Sequence, residues 1–307
     1  MKIDVIIPTY RPSEQLFELL GRLATQSVPV HRVILMNTEK SYFDGLTRDM
    51  NFEETYPFVT TYHLSKKEFD HGGTRHLGVQ KSDADIFVML TQDAMPADQN
   101  LIEHLTKHLS GKVAVAYGRQ LPRRDCGVLE RISRQFNYPD QSVIKSAEDL
   151  QRLGIKTFFC SNVCAAYRRD VYEQLGGFVR HTIFNEDMIY AGTAIQKGWQ
   201  VSYEAEALVV HSHNYTCMQQ FHRNFDLGVS QAEHPEIFGI VKSESEGKKL
   251  VRSTVKALKD RGQIGKIPYF FLQCAFKYAG YLLGKRYRKL PKWVILLASD
   301  NKQYWKK

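Results

Sequence analysis

The sequence predicts an α/β fold in which a parallel sheet is covered by helices on both faces. Three short segments, 2–8, 32–36 and 85–90, consist mainly of apolar residues, which is typical of strands buried on both sides. Between the first two segments, leucines at positions 16, 19, 20 and 23 fall on one face of a helix. Strands that alternate with helices in this way indicate a parallel sheet.

Further elements follow in chain order. The pattern predicts strands at 58–64, 112–117, 157–167 and 201–210, and helices at 73–79, 101–109, 168–175 and 185–196. Asn185 is the expected N-terminal cap of the last of these helices, and Gly198 follows its end. The segment 119–154 is polar and basic without a clear period. From Thr216 onwards the chain is predicted to be helical.

Charge is distributed unevenly along the chain. Residues 247–307 contain sixteen Lys or Arg and two Asp or Glu, whereas residues 1–246 contain 26 Lys or Arg and 31 Asp or Glu. Aromatic and basic residues are interleaved in the C-terminal part, which suits a helix lying on anionic lipid. A packed helix pair with a solvated basic face and an RNA-binding segment are the alternatives. The aromatic and aliphatic members are Tyr269, Phe270, Phe271, Phe276, Tyr278, Tyr281, Leu282 and Trp293.

The cysteine content and the lengths of the apolar runs indicate where in the cell the protein is located. The five cysteines are odd in number and irregularly spaced, which favours reduced thiols over a disulfide framework. No apolar run reaches the ~20 residues that span a bilayer, and the N-terminus lacks the apolar stretch of a signal peptide. We therefore expect a protein of the cytoplasm or of the inner face of the plasma membrane.

Four polar clusters follow predicted strands at their carboxyl ends. They are Pro8-Thr9-Tyr10, Asn37-Thr38-Glu39, Thr91-Gln92-Asp93-Ala94 and His211-Ser212-His213. In open α/β sheets, ligands bind beyond the carboxyl ends of the strands. We therefore expect all four clusters to lie on one edge of the sheet and to form the binding site.

The ordered set of motifs resembles family 2 glycosyltransferases, which have the GT-A fold. Val5-Ile6-Ile7-Pro8-Thr9-Tyr10 is similar to the opening of that family, and Thr91-Gln92-Asp93-Ala94 stands where the family has Asp-x-Asp. Asn185-Glu186-Asp187 matches the family's Glu-Asp pair, whose second carboxylate is the catalytic base. The chain resembles bacterial rhamnosyltransferases in particular in five segments: 37–39, 69–75, 117–120, 278–281 and 283–287. The resemblance covers nearly the whole chain.

This resemblance implies a GT-A (Rossmann-like) nucleotide-diphospho-sugar transferase fold with a helical C-terminal extension. The catalytic domain would span 1–215, with a donor-binding part at 1–118 and an acceptor-binding part at 119–215. Residues 216–307 would form a helical, basic, membrane-associating region. Donor contacts are expected from Pro8, Thr9, Tyr10, Asn37, Glu39, Asp70, Gly73, Arg75, Thr91 and Gln92, and acceptor contacts from Arg119 and Asn162.

The resemblance also implies the catalytic and metal-binding residues. Asp187 would accept the proton of an acceptor hydroxyl, and Glu186 would orient it or the acceptor. Asp93 and His211 would hold a divalent cation, Mg²⁺ or Mn²⁺, against the donor diphosphate. The structural alternatives are helix caps for the two aspartates and a hydrogen-bonded strand-end residue for His211. For His213 we expect no metal contact.

Two departures from the family pattern bear on mechanism. Thr91 replaces the first aspartate of Asp-x-Asp, which leaves the number of metal ligands open. The Gln-x-x-Arg-Trp motif of processive synthases is absent from the sequence. Its absence favours an enzyme that adds one or a few sugars per encounter.

The function that the resemblance implies is inverting transfer of L-rhamnose from dTDP-L-rhamnose. The acceptor would be a saccharide, lipid-linked, of a cell-wall or capsular polysaccharide, and the C-terminal region would hold the enzyme at the membrane surface; nucleic acid is not an expected partner. One alternative is a family 2 transferase that uses UDP-galactofuranose or a UDP-hexose. A second is an inactive polyanion-binding protein. A third is a metal hydrolase using His211 and His213, for which the sequence offers no convincing third ligand.

Overall fold

Nine strands form one sheet in the described part of the chain. The computed structural model describes residues 1–240 and 244–306, so residues 241–243 and 307 of the predicted C-terminal region lie outside the described residues. The strands, β1 to β9 in chain order, are Ile3–Tyr10, Arg32–Thr38, Val59–Leu64, Ile86–Leu90, Met95–Pro96, Val113–Leu121, Val143–Lys145, Cys164–Arg168 and Gln200–Val210.

The sheet is mixed rather than parallel throughout. Its order is β3-β2-β1-β4-β8-β6-β9-β5, and β7 also pairs with β9. The pairs among β1 to β4 are parallel, whereas β8 lies antiparallel between β4 and β6. The expectation of a parallel sheet is therefore wrong at β8. The connection after β6 returns the chain to the edge at which β4 and β6 end, so β8 has to run in the opposite direction.

Helices cover the sheet and continue beyond its last strand. Within the described residues they are α1 to α14 in chain order: Gln15–Ala24, Lys40–Thr47, Phe52–Thr55, His71–Gln80, Leu101–Thr106, Val128–Asn137, Leu150–Leu153, Arg169–Gln174, Glu186–Gln196, Cys217–Glu233, Pro235–Phe238, Glu244–Asp260, Ile267–Lys285 and Lys292–Ala298.

Two apolar layers, one on each face of the sheet, form the main core. Val5 and Val88 belong to the layer that includes the leucines of α1 and α5. Ile6 and Phe87, their neighbours in the strands, belong to the layer that includes residues of α8 and α9. Since successive strand residues point to opposite faces, both faces are covered, as the apolar runs predicted.

The prediction of elements succeeds in residues 1–118 and fails in part of 119–163. Every strand and helix predicted before residue 118 is present. Helix α6 lies in the segment for which no period was found. The predicted strand 157–167 is wrong before Cys164, where the chain forms a 3₁₀ helix, Gly154–Phe158. The buried ammonium of Lys145 donates hydrogen bonds to the carbonyls of Lys156 and Phe159, which holds this segment in a turn.

Asn185 does not cap α9 in the way predicted. Its backbone has a φ of 65°, and its side chain makes no capping hydrogen bond. The amide Nδ2 instead donates to the hydroxyl of Ser230 in α10, at 3.1 Å. Asn tolerates this left-handed conformation better than most residues. The residue thus turns the chain sharply into α9 and joins that turn to the C-terminal helices.

Helices α10 to α14 pack on the sheet domain through two smaller cores. One contains Ile183, Phe225 of α10 and Ile295 of α14. The other contains Ile132 of α6 and Phe270 of α13. The predicted helical extension is confirmed, and it is packed on the body of the protein. No helix of the described residues combines the length and apolarity that crossing a bilayer requires.

Glycines allow α10 and α13 to approach each other closely. A Cβ atom added to Gly280 would lie 2.2 Å from the carbonyl oxygen of Phe221, and one added to Gly284 would lie 2.1 Å from that of Phe225. Gly228, on the facing helix, is equally confined by the backbone of Tyr281. The two glycines of α13 belong to segments that resemble rhamnosyltransferases, and the structure gives them a packing role.

We expect Gly280→Ala to destabilise the protein by about 1–3 kcal/mol, because the added methyl group forces the two helix backbones apart. Chemical unfolding measures the change in free energy. Gly247→Ala in α12 is the matched control: nothing lies within 4 Å of its Cβ position, so alanine should be neutral or stabilise by up to about 1 kcal/mol. Equal stability of the Gly280 variant and the wild type would contradict the close helix contact.

Candidate active site

The polar clusters predicted from the sequence lie at one edge of the sheet. Strands β1, β2 and β4 are parallel, and β6 and β9 run in the same direction as β4 because both are separated from it by the antiparallel β8. The carboxyl ends of all five strands therefore meet at this edge. Residues 161–163, which directly precede β8, reach the same edge.

Three side chains from two of these clusters converge as potential metal ligands. Asp93 Oδ2 lies 3.4 Å from His211 Nε2 and 3.2 Å from His213 Nε2. The two Nε2 atoms are 3.1 Å apart. His211 is buried, whereas Asp93 and His213 are partly exposed. A cation placed here would have two imidazoles and one carboxylate within reach. We refer to Asp93, His211 and His213 together as the metal cluster.

Gln120 sets the orientation of His211. Its Oε1 atom lies 3.0 Å from His211 Nδ1 and also accepts a hydrogen bond from the guanidinium of Arg134. Because a guanidinium can only donate, this amide atom is the acceptor oxygen, and His211 Nδ1 must carry the proton. Nε2 faces Asp93: in the neutral ring it carries the lone pair, and in the doubly protonated ring it donates a hydrogen bond to that carboxylate. This arrangement is typical of a histidine that ligates a metal.

The charges around Asp93 favour its ionised form. Burial alone would raise its pKa, but hydrogen bonds from His211 and His213 outweigh burial and lower the pKa. The hydroxyl of Thr91, which stands in place of the first aspartate, is buried and also contributes to the lowered pKa of Asp93. The residues present therefore fit a divalent cation. A donor set with two imidazoles suits Mn²⁺ and later transition metals better than Mg²⁺.

The second acidic site lies at the start of α9. Asp187 Oδ2 accepts a hydrogen bond of 2.9 Å from the backbone amide of Asn162, and Oδ1 accepts one from the amide of Met188. Its side chain is partly exposed. Glu186 is buried, accepts a hydrogen bond from Asn162 Nδ2 and lies 3.2 Å from Arg75 Nε as an ion pair. Asp187 is thus the accessible carboxylate of the pair.

The two carboxylates differ in basicity. Burial, followed by the negative charge of Glu186, raises the pKa of Asp187. Burial opposes ionisation of Glu186 too, but Arg75 and then His71 outweigh it and lower the pKa of Glu186. Proton transfer is most efficient when the pKa of the base is close to the working pH. Asp187 is therefore the better proton acceptor of the two.

Residues 161–163 connect the two acidic sites. On one side, Ser161 Oγ accepts a hydrogen bond of 3.0 Å from Gln120, the residue that orients His211. The amide of Thr91 donates to the carbonyl of Val163 at 3.2 Å, which joins the Asp93 turn to the same segment. On the other side, Asn162 holds Asp187. The metal cluster and the basic carboxylate therefore flank one short segment.

The predicted donor-binding residues of β1 and β2 adjoin this site. Thr9 donates a hydrogen bond of 3.0 Å to Asn37 Oδ1, and both are buried next to the half-buried Pro8. The ring of Tyr10 is exposed and packs edge-on against Tyr42, with ring centroids 5.7 Å apart. The Tyr10 ring therefore lies at the protein surface, at the same edge of the sheet, where a planar group can reach it.

Several predicted donor residues instead hold the protein together. Gln92 pairs with both backbone groups of Tyr10 and so joins the ends of β1 and β4. Glu39 Oε1 accepts a hydrogen bond from the amide of Lys66. Arg75 is turned inwards to Glu186. These contacts position the site, and direct donor contacts of Gln92, Glu39 and Arg75 stay predictions.

Asp70 and Gly73 have structural roles, and their donor contacts stay predictions. Asp70 caps α4 by accepting hydrogen bonds from the amides of residues 72 and 73, and its other oxygen lies 3.1 Å from His181 Nδ1. A Cβ atom on Gly73 would lie 2.8 Å from the carbonyl oxygen of Arg180. The glycines therefore allow close packing of α4 against the segment at 179–182.

Acceptor contacts of Asn162 and Arg119 stay predictions, and the structure adds the protein contacts that the two residues make. Asn162 is buried, and its side chain is used by Glu186 and by the hydroxyl of Tyr167. These two contacts position the acidic pair. Arg119 lies in β6, and no hydrogen bond or ion pair joins it to Asp93 or Asp187 in the described ranges.

Sequence reasoning missed two residues of the site. The sequence predicts no metal contact for His213, although the His-x-His spacing at a strand end places both rings on the same side of an extended segment. Gln120 enters the sequence-based prediction only as part of the 117–120 segment. The structure shows that it contacts and orients His211. The hydrolase alternative lacked a third ligand, and Asp93 is the side chain that joins the two histidines.

Comparison with known proteins identifies close relatives. Residues 4–176 match the family described as Glycosyl transferase family 2. The O-antigen chain rhamnosyltransferase RfbN of Salmonella typhimurium is 39% identical over 316 residues, covering 99% of this chain and 96% of that protein. The O-antigen chain rhamnosyltransferase WbaN of Salmonella anatum is 43% identical over 247 residues, covering 79% of this chain and 78% of its own length.

Solved structures share the fold at low sequence identity. The mannosyltransferase PcManGT of Pyrobaculum calidifontis, in complex with GDP-Man and Mn²⁺, aligns with a TM-score of 0.58 and 18% identity over 100% of this chain and 88% of its own. TarS 1-349 of S. aureus aligns with a TM-score of 0.54 and 16% identity over 94% and 92%. These similarities show a GT-A fold.

Asp93→Asn and His213→Ala should each weaken Mn²⁺ binding by roughly tenfold or more, because each removes one of three converging ligands. Isothermal titration calorimetry with Mn²⁺ alone measures the affinity. His104→Ala, which changes a histidine outside the cluster, should leave it unchanged. Wild-type affinity in the His213 variant would exclude this side chain from the metal site.

Proposed function

The chain belongs to glycosyl transferase family 2, and we propose that it transfers L-rhamnose from dTDP-L-rhamnose to a saccharide acceptor with inversion. The observation that carries the mechanism is the arrangement of two acidic sites around one segment, with Asp93 among two imidazoles and Asp187 held by the amide of Asn162. The names of the two relatives, at 39% and 43% identity, support rhamnose as the sugar.

In this proposal the donor nucleotide lies against the ends of β1 and β2. The exposed ring of Tyr10 offers a stacking surface for a base. The guanidinium of Arg11 lies 5.3 Å and the ammonium of Lys66 lies 5.7 Å from the centre of that ring. Two cations beside one aromatic ring favour a ligand that combines a planar base with phosphates.

The proposed reaction is a single displacement at the anomeric carbon. Asp187 removes the proton of an acceptor hydroxyl while that oxygen bonds to the anomeric carbon, and the bond from this carbon to the diphosphate oxygen breaks. dTDP leaves with the electron pair, and Asp187 keeps the proton. A β-linked donor then yields an α-rhamnoside, since attack occurs opposite the leaving group.

The surrounding residues prepare each partner for this step. Asn162 fixes one oxygen of Asp187, which leaves the carboxylate oriented before the acceptor arrives. Arg75 compensates the buried charge of Glu186. A divalent cation held by Asp93, His211 and His213 would offset the negative charge on the leaving diphosphate.

We also propose that the acceptor is lipid-linked and that the enzyme works at the cytoplasmic face of the membrane. Both relatives are named for the O-antigen chain. Large apolar side chains on α13 and α14 are exposed, and Trp293 at 69% and Leu297 at 65% are the most open of them. Phe271 and Tyr278 are exposed on α13, while Phe270 is buried. Basic residues between the two helices add attraction to anionic lipid.

The proposed activity is tested by following nucleotide release from dTDP-rhamnose, UDP-galactofuranose and a UDP-hexose in the presence of Mn²⁺ and a membrane extract. Release should depend on the extract and be fastest with dTDP-rhamnose. Asp187→Asn should lower kcat by roughly 10²–10⁴-fold with unchanged donor affinity, because the amide cannot accept the proton. Asp49→Asn, at an exposed position, is the control.

The outcomes separate the proposal from its alternatives. Preference for a UDP-sugar would keep the transferase mechanism and reject rhamnose. Donor cleavage at the same rate without extract would indicate hydrolysis. Unchanged turnover in the Asp187 variant would remove this residue from the mechanism.

Membrane association is tested by co-sedimentation with vesicles of phosphatidylglycerol and of phosphatidylcholine. The wild type should bind the anionic vesicles and be released by salt, and the double variant Phe271→Ala/Trp293→Ala should bind at least about tenfold more weakly, since two aromatic anchors are lost. Ile144→Ala removes an exposed apolar side chain on β7 and should have no effect. Equal binding of the double variant would refute this membrane-facing surface.

A further inference from the structure

A pocket adjoins the metal cluster on the side away from the proposed donor site. Its volume is about 290 Å³, and it is enclosed by α6, α10, α12, α13 and the loop after β9. His213 lines this pocket, and the same side chain faces Asp93 at 3.2 Å. A molecule in the pocket would therefore lie directly beside the candidate metal site.

The strand order separates this pocket from the donor residues. The donor residues follow β1 and β2, Asp93 follows β4, and the loop that lines the pocket follows β9. Asp93 thus lies between the two binding regions. In a single displacement, the acceptor oxygen attacks the anomeric carbon from the side opposite the leaving diphosphate. The pocket lies at the β9 end of the edge, away from the proposed donor residues after β1 and β2.

The lining of the pocket combines aromatic rings, neutral polar groups and the charged side chains of Glu130, Lys266 and Lys277. Tyr215, Tyr269 and Phe270 supply rings, and Gln220 and Gln273 supply amides. An amide can both donate and accept hydrogen bonds, which matches the dual character of sugar hydroxyls. Aromatic rings provide flat apolar surface for the C–H faces of a sugar ring. A mostly apolar lining with a few polar groups is typical of small-molecule sites.

Two side chains in the pocket are available for new contacts. Gln273 Nε2 makes only long hydrogen bonds, of 3.4 Å to Tyr269 and 3.5 Å to the carbonyl of Tyr215. Lys277 makes no hydrogen bond or ion pair within residues 1–240 and 244–306. Burial lowers the pKa of Lys277. These groups can turn to a ligand without breaking strong contacts in the protein.

A series of aromatic and cation–π contacts leads from the pocket towards the catalytic base. The rings of His213 and Tyr215 are 5.0 Å apart. The guanidinium of Arg223 lies 4.9 Å from the ring of Tyr215 and 5.2 Å from that of Phe184. Phe184 is part of the turn that leads into α9. The pocket therefore adjoins the metal cluster, and Arg223 links its Tyr215 to the segment that carries Asp187.

We propose that this pocket binds the saccharide of the acceptor. The inference rests on the proposed glycosyl transfer, and it assigns recognition of the acceptor to the C-terminal helices. The hydroxyl groups and C–H faces of a glycan fit the mixture of rings and amides. Because α12 and α13 contribute one wall, the helical extension would take part in substrate selection as well as in membrane association.

The test uses methyl glycosides of galactose, mannose, rhamnose and N-acetylglucosamine as water-soluble probes. Saturation-transfer NMR with dTDP and Mn²⁺ present detects binding, and a transfer assay with the same glycosides gives KM. Tyr269→Ala and Gln273→Ala should each raise the dissociation constant and KM by roughly tenfold with unchanged donor affinity. Tyr269 is half-exposed, so its truncation should leave folding intact.

Two variants control for indirect effects. Tyr269→Phe retains the ring and should stay near the wild type, while Gln174→Ala changes an exposed glutamine of α8 outside the pocket. Unchanged glycoside binding in both pocket variants would overturn the proposal, as would a wild type that binds no glycoside. Reduced affinity for the donor would assign the pocket to the donor instead. Glycoside binding without transfer would sustain the pocket and refute the proposed function.

Discussion

The hydrogen bond from the backbone amide of Asn162 to Asp187 is the constraint on which the candidate active site depends. This amide belongs to the short segment that also holds Gln120 and the turn carrying Asp93. Because the segment is fixed at both sides, the distance between the metal cluster and the basic carboxylate is set by backbone, which varies less than side chains do. Glu186 and Arg75 then balance the buried charge behind Asp187. The geometry is therefore organised before any substrate binds.

The C-terminal helices support the same geometry from outside the sheet. Ser230 of α10 accepts a hydrogen bond from Asn185 and donates one to the carbonyl of Phe184, so it fixes the turn that precedes Asp187. The ring of Tyr304 stacks on His181 with centroids 4.5 Å apart. Close packing through the glycines of α13 makes this support rigid. The sharp change in charge at residue 247 is thus not accompanied by a loss of packing contacts.

The sequence was sufficient to predict the strands, the shared edge and the acidic residues there, because buried strands have a strong apolar pattern and their ends bring polar residues together. It was not sufficient to predict the protein contacts that these polar residues make. Asp70 and Asn162 carry polar groups near the site, yet their partners are His181 and Glu186, which are distant in the chain. The antiparallel β8 was missed for a similar reason, since the direction of a strand depends on the path of the preceding loop. His213 became part of the site only when the fold placed it beside Asp93.

The pH dependence of kcat/KM, compared between the wild type and Glu186→Gln, tests the central claim most directly. Asp187 must be ionised to accept a proton, so activity is lost as pH falls through its pKa. Burial and Glu186 raise the pKa of Asp187, which places the acid limb of the wild type above the usual carboxyl range. Glu186→Gln removes a neighbouring negative charge and should move this limb to lower pH. An acid limb at an ordinary carboxyl pKa, or one that the substitution does not move, would contradict the assignment of Asp187 as the base.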